Sequence, residues 1–107
     1  MEYQGEIYKC YACNIKFEDD CELYSSWKCP HCGNRIYIEA PEWGFTLIRK
    51  LPKDLDIADF ILLPGDTQGK KIIDIQPSSR GDDYTYVAIR GFGHIHAHNR
   101  TFQNILA

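Results

Sequence analysis

The sequence lacks the features that mark a membrane protein or a secreted protein. Its longest apolar run, residues 60–63, is far shorter than the roughly 20 residues of a membrane-spanning helix. Its first residues, Met-Glu-Tyr-Gln-Gly-Glu, do not show the charged and then apolar pattern of a signal peptide. We therefore expect a cytoplasmic protein that has no membrane partner.

The sequence also lacks a surplus of positive charge. The 107 residues carry a formal net charge of −3. Residues 1–44 hold four basic and eight acidic residues, whereas residues 45–107 hold eight basic and seven acidic residues. A general binder of the phosphate backbone carries a basic face. The charge balance therefore favours a protein partner, with nucleic acid as the alternative.

Long amphipathic helices are missing too, and the second half reads as short strands divided by turns. Residues 84–90 are aromatic and β-branched, which is typical of a strand, and residues 57–63 are apolar enough for a central strand. Turn-forming residues at 64–69 and 77–83 separate these runs. We therefore predict a mainly β protein whose second half is a small antiparallel β-barrel or a coiled sheet.

What the sequence does have is cysteine in a specific spacing. Four of its five cysteines form two Cys-x-x-Cys pairs, Cys10 with Cys13 and Cys29 with Cys32, and fifteen residues separate the pairs. Each pair forms a tight turn whose backbone amides point at the sulfurs. Two such turns that face each other make the tetrahedral thiolate cage that Zn²⁺ prefers. We therefore predict one metal site at these four residues.

Residues 8–39 resemble the zinc-ribbon superfamily. The resemblance rests on Tyr-Lys-Cys-x-x-Cys-x-x-x-Phe followed by Trp-Lys-Cys-Pro-x-Cys-Gly. It implies a three-stranded antiparallel ribbon with zinc between two hairpin tips. Ribbons of this pattern occur in transcription, translation, transposition and metal handling, so the resemblance implies the fold and the ion but no single function.

The metal is expected to be one structural zinc ion. Catalytic zinc usually keeps an open position, whereas four thiolates close the site. The double knuckles also resemble rubredoxin-type electron carriers, and four sulfurs suit iron as well. Because the longer rubredoxin loop is absent, zinc is expected over iron. His31 is expected to point to solvent, and Cys21 is expected to be a bystander because neighbouring acids disfavour its thiolate.

Three histidines form a His-x-His-x-His pattern at His94, His96 and His98. On a strand they project from one face, about 7 Å apart from one to the next. Such a row is a candidate second metal, ligand or catalytic site, although no carboxylate or fourth histidine accompanies it in sequence. The competing interpretation is a half-exposed polar strand face.

Residues 90–95, Arg-Gly-Phe-Gly-His-Ile, resemble the ribonucleoprotein octamer of RNA-recognition domains and the similar strand of cold-shock barrels. The resemblance implies base stacking on an open sheet. Here His94 and Ala97 replace two of the aromatic residues, and the helices of the RNA-recognition domain are missing. The candidates for nucleic-acid contact are Arg90, Phe92, His94, Lys70 and Lys71. The competing interpretation is a kink that the glycines permit.

The chain is predicted to divide at residues 40–44 into a zinc ribbon, residues 1–41, and a small β domain, residues 45–107. In the second part, Leu-Asp-Ile-Ala-Asp-Phe-Ile resembles the opening strand of Src-homology-type small barrels, which often reads Leu-x-x-Gly-Asp-x-Ile. Ala58 stands in place of that glycine.

The expected function is that of a non-enzymatic accessory or regulatory factor. It would bind a protein partner through exposed aromatic residues, in transcription or other nucleic-acid machinery. Direct binding of single-stranded RNA or DNA is one alternative. The other is an electron carrier, or a metal-dependent enzyme that uses His94, His96 and His98.

Overall fold

A computed structural model describes residues 3–107 and divides the chain into two units. The first unit ends at Arg49 and also includes Ala107, and the second unit is Lys50–Leu106. Strands make up 43% of the chain and helix 3%, so the predicted mainly β class is confirmed. Within residues 3–107 no helix is long and apolar enough to cross a membrane.

The first unit contains the predicted three-stranded ribbon and one further strand. Its strands are β1 (Ile7–Cys10), β2 (Ile15–Phe17), β3 (Tyr37–Ala40) and β4 (Phe45–Lys50), hydrogen-bonded in the order β2-β1-β3-β4. Neighbouring strands are antiparallel. Residues 45–49, which the sequence assigns to the second part, lie in the first unit because β4 pairs with β3. Whether the two parts fold as separate domains stays a prediction.

The core of the first unit is small and is built by strand alternation. In β3 the side chain of Ile38 is fully buried, while Tyr37 and Glu39 on the opposite side of the strand are half-buried. Ile38 lies opposite Leu47 of β4, which is also fully buried. Leu23, Ile36 and Ala40 are also fully buried, so only a few apolar side chains hold this unit together.

A buried ion pair lies beside this core. The carboxylate of Glu6 accepts a hydrogen bond of 2.6 Å from the guanidinium of Arg49, and the two side chains are 2% and 4% exposed. Glu6 also accepts hydrogen bonds from the hydroxyl of Tyr8 and the backbone N–H of Tyr3. The Arg49 guanidinium lies 4.3 Å from the centre of the Trp27 ring. The pair therefore ties β4 to the segment that precedes β1.

The second unit is an open antiparallel sheet. Its strands are β5 (Phe60–Ile61), β6 (Lys70–Pro77), β7 (Tyr84–Ile89), β8 (Gly93–His98) and β9 (Gln103–Leu106), in the order β9-β5-β6-β7-β8. The sheet is not closed into a barrel, so of the two predicted architectures the structure shows the sheet. A single turn of 3-10 helix, Pro52–Asp54, precedes β5.

The predicted central strand at residues 57–63 is confirmed only in part, because within this range only Phe60–Ile61 forms a strand, which lies between β9 and β6. Ala58 adopts φ = +84°, a left-handed conformation that interrupts an extended chain. The Asp59 carboxylate accepts a hydrogen bond from the backbone N–H of Asp56 and holds this turn. Ala58 therefore takes the backbone conformation that favours glycine, at the position where the Src-homology-type pattern has glycine.

We expect replacement of Glu6 by alanine to destabilise the first unit by about 3 kcal/mol or more, because it leaves the buried Arg49 guanidinium without this carboxylate. Both tryptophans, Trp27 and Trp43, lie in the first unit, so denaturant unfolding followed by tryptophan fluorescence reports this unit. Glu18→Ala, at an exposed position, is the control. A loss below about 1 kcal/mol for Glu6→Ala would contradict the role of the pair.

Candidate metal centre and the second-unit ring face

The two Cys-x-x-Cys pairs form tight turns. In the first turn the backbone N–H of Cys13 points at the sulfur of Cys10, with an N to Sγ distance of 3.4 Å. In the second turn the backbone N–H of His31 points at the sulfur of Cys29, also at 3.4 Å. Gly33 closes the second turn with φ = +76° and a hydrogen bond from its N–H to the carbonyl of Cys29. These are the turns that the sequence predicts.

The four sulfurs converge on one point. The Sγ atoms of Cys10 and Cys32 are 3.5 Å apart, those of Cys13 and Cys29 are 4.0 Å apart, and all four lie within 4.8 Å of one another. Zinc–sulfur bonds of about 2.3 Å in a tetrahedron require sulfurs about 3.8 Å apart. All four thiols are free. The chain therefore carries a four-cysteine group that fits one tetrahedral metal ion.

The thiols of this group are unequal. The backbone N–H of Asn34 lowers the pKa of Cys32 to about 7. The side-chain hydrogen bond with Cys32, followed by burial, raises the pKa of Cys13 to about 12. Near neutral pH a proton therefore remains on at least one thiol. A metal ion that takes four thiolate ligands has to displace it.

The imidazole of His31 and the thiol of Cys21 do not belong to the four-cysteine group. His31 is exposed and is not a member of the four-cysteine group. Cys21 is exposed, and its hydrogen bond with Asp19, followed by the charge of that carboxylate, raises the pKa of its thiol. Cys21 is thus a poorly activated thiol outside the group.

The predicted histidine row lies on β8 and is joined by two tyrosines of β7. Tyr84 pairs with His98, Tyr86 with His96, and Ala88 with His94. Because directly opposed residues point to the same side of a sheet, five rings share one face. We call this set the ring face: Tyr84, Tyr86, His94, His96 and His98.

Ring contacts and hydrogen bonds order the ring face. Tyr86 stacks on His94 with ring centres 5.1 Å apart, and His94 meets His96 edge-on at 5.3 Å. The Nδ1 atom of His96 lies 2.6 Å from the hydroxyl of Ser78. Burial, followed by the positive charge of Arg80 and by His94, lowers the pKa of His96.

The three histidines are not among the clustered metal-ligand groups found within residues 3–107. Within the described residues, 3–107, the four cysteines are the one group of three or more potential ligands close enough to share an ion. The second metal or ligand site at the histidines therefore stays a prediction.

The predicted nucleic-acid contacts fall into two places. Arg90 and Phe92 are exposed in the turn between β7 and β8, next to His94. The backbone N–H of Arg90 donates to the carbonyl of Lys71, so these two residues are neighbours. Lys70 instead lies 3.5 Å from the carboxylate of Asp66.

Sequence reasoning missed the tyrosines and Arg80. The signal was present: Tyr-x-Tyr and His-x-His-x-His stand on either side of the turn at residues 90–92, so a hairpin through that turn opposes them. Arg80 belongs to the loop after β6, and only the folded chain brings it close to His96.

Comparisons with family models, with curated proteins and with solved structures gave no match to this chain.

We expect Cys29→Ser to abolish stoichiometric zinc binding, because it removes a buried ligand from a four-ligand site. Cys21→Ser is the matched control, since it removes the exposed fifth cysteine. Purification in the presence of zinc followed by elemental analysis should give about one zinc per chain for the wild type and for Cys21→Ser. Equal zinc content in Cys29→Ser would show that the four cysteines are not the ligands.

We also expect the apparent zinc affinity to fall as the pH falls. The Cys13 thiol, with its pKa raised to about 12, is protonated at neutral pH and has to lose its proton to bind the ion. Displacement of one proton gives a change of about tenfold per pH unit, and displacement of more gives a steeper change. Competition with a chromophoric chelator between pH 6 and 8 measures the slope. An affinity independent of pH would mean that the ligands are not thiols.

Proposed function

We propose that this chain is a non-enzymatic module in which one structural zinc ion stabilises the first unit and that unit binds a protein partner. The ion is zinc rather than iron, because residues 8–39 resemble zinc ribbons and lack the longer loop of rubredoxin-type carriers. The module acts as an accessory or regulatory factor in the cytoplasm.

The observation that carries this proposal is the placement of Tyr11. Tyr11 lies between two of the cysteines and is 52% exposed. It stacks on Tyr37 with ring centres 4.6 Å apart and an angle of 17° between the rings. Its hydroxyl donates to Glu39, which also lies 3.1 Å from the ammonium of Lys9. We call these four residues the Tyr11 surface.

The Tyr11 surface has the properties of a protein-binding site. Tyrosines are frequent at the energetic centres of protein interfaces. Stacking on Tyr37 and the hydrogen bond to Glu39 hold Tyr11 in place before a partner arrives, so binding costs less conformational entropy. Lys9 and Glu39 offer one charge of each sign to a partner.

Charge also favours a protein over a nucleic acid as the partner of the first unit. Residues 1–44 carry twice as many acidic as basic residues. Four thiolates around one Zn²⁺ add about two further negative charges. A phosphate backbone is repelled by such a surface, whereas a basic or neutral protein surface is not.

The proposal predicts that Tyr11→Ala reduces capture of a protein partner by about tenfold, a loss typical of a residue at the centre of an interface. Tyr24→Ala is the matched control, because Tyr24 is 65% exposed in the same unit but outside the Tyr11 surface. The measurement is affinity capture from nuclease-treated extract of the source cells, with quantitative mass spectrometry of the bound proteins and zinc analysis of each bait.

Two results would contradict the proposal. One is that no protein depends on Tyr11 while the three baits hold equal zinc. The other is that the proteins captured from a parallel untreated extract are not captured from the nuclease-treated extract, which would make nucleic acid the partner. If Tyr11→Ala lowers the zinc content, the experiment uses Tyr11→Phe instead of Tyr11→Ala. A loss of capture by Tyr11→Phe then reports the hydrogen bond between the Tyr11 hydroxyl and Glu39.

A further inference from the structure

The ring face of the second unit is built as a stacking surface. On β7 and β8 the opposite face of the sheet is buried, with Val87 0% and Ala97 5% exposed. The five rings therefore stand on the outer side of a sheet whose inner side is packed. Rings held on a rigid sheet lose little conformational entropy when a ligand covers them.

The rings leave room for another flat ring. His94 is exposed, while Tyr86 and His96 are half-buried. Tyr86 and His94 are nearly parallel, with 28° between their rings, so a planar ligand laid on His94 continues an existing stack. In residues 3–107, β8 is the last strand in the order and has no neighbour on its outer side.

Cations stand beside the rings. The backbone N–H of Arg80 donates to the hydroxyl of Ser78, which in turn contacts His96. At the far end of β8 the backbone N–H of Arg100 donates to Nδ1 of His98. Arg90 lies in the turn at the near end. Arginine residues therefore lie in the loops at both ends of the ring face, and the positive charge of Arg80 acts on His96.

Within residues 3–107 these cations form no ion pairs. Throughout the described part, residues 3–107, no carboxylate oxygen lies within 4.0 Å of the side-chain nitrogens of Lys71, Arg80, Arg90 or Arg100. Lys50 and Lys70 show the contrast, since each pairs with an aspartate. Unpaired cations are available for an anionic ligand.

Three aspartates lie near the ring face by sequence and strand register: Asp74, Asp82 and Asp83. Asp74 of β6 lies opposite Ala88 of β7. Its oxygens accept hydrogen bonds from the side-chain amide of Gln76 and from the backbone N–H of Ile75. Asp82 and Asp83 directly precede Tyr84, and the carbonyl of Asp83 accepts a hydrogen bond from the backbone N–H of Asn99. These three aspartates weaken the attraction for an anion, but Lys71, Arg80, Arg90 and Arg100 outnumber them by one.

We propose that the ring face binds single-stranded nucleic acid, with Tyr86 and His94 stacking on bases and Arg80 and Arg90 contacting phosphates. Unpaired guanidinium groups complement phosphates, and ring faces complement the base faces that a duplex hides. A six-residue strand spans about 17 Å, which suits a site of about four nucleotides. This binding lies beyond the proposed function, because it uses the other unit and another class of ligand.

The test is fluorescence anisotropy of the zinc-loaded full chain with a labelled oligothymidine of about 12 nucleotides. We expect saturable binding at about 50 mM salt and a loss of affinity of about tenfold at about 200 mM salt, because a few phosphates release their counterions. A duplex of the same length should bind about tenfold more weakly, because its base faces are covered.

Variants separate stacking from charge. We expect His94→Ala, at an exposed position, and Tyr86→Leu each to weaken binding by about tenfold. Tyr86→Phe should restore binding because it keeps the ring, and circular dichroism checks that each variant folds. Arg80→Ala should reduce the salt dependence, whereas Tyr24→Ala in the first unit should bind like the wild type.

Several outcomes would overturn the proposal. One is the absence of saturable binding at low salt. Another is that the duplex, or a labelled polyglutamate peptide, binds with the same affinity as the single-stranded oligothymidine. Affinity unchanged in both His94→Ala and Tyr86→Leu would also overturn it. Equal binding of the peptide would show that the ring face takes an acidic protein segment instead.

Discussion

The convergence of four cysteine sulfurs is the constraint on which the first unit depends. A unit of roughly fifty residues buries too little apolar surface to be stable without a cross-link such as a disulfide or a bound metal ion. Only a few side chains of this unit are fully buried, among them Leu23, Ile36, Ile38 and Leu47. A metal ion bound by these four cysteines would join the end of β1 to the turn before β3 and would supply the cross-link that this core does not provide.

The same constraint positions the surface of the first unit. Tyr11 lies inside the first knuckle, so the geometry of the metal site sets the place of its ring against Tyr37. The second unit is organised differently, because an apolar core of Ile61, Ile72, Val87, Ile89 and Ile105 holds its sheet. There the rings stand on the outer face. Each unit thus separates its buried apolar side chains from the rings on its surface.

Local patterns predicted much of this structure, and features that depend on register were missed. The cysteine group follows from turns of four residues, and β7 follows from its β-branched and aromatic composition. The strand predicted at residues 57–63 is shorter in the structure, because the left-handed conformation of Ala58 interrupts the extended chain. The tyrosines of the ring face were missed because their place beside the histidines depends on the pairing of β7 with β8. That pairing can be read from the sequence only after residues 90–92 are assigned as the turn of a hairpin.

Hydrogen exchange before and after complete metal removal by a chelator tests the central claim most directly. We expect the amides of β1 and β3 to lose their protection, because the ion contributes much of the stability of the first unit. The amides of β6 and β7 should stay protected, because an apolar core holds them. Unchanged protection of β1 and β3 in the metal-free protein would contradict a structural role for the four-cysteine site.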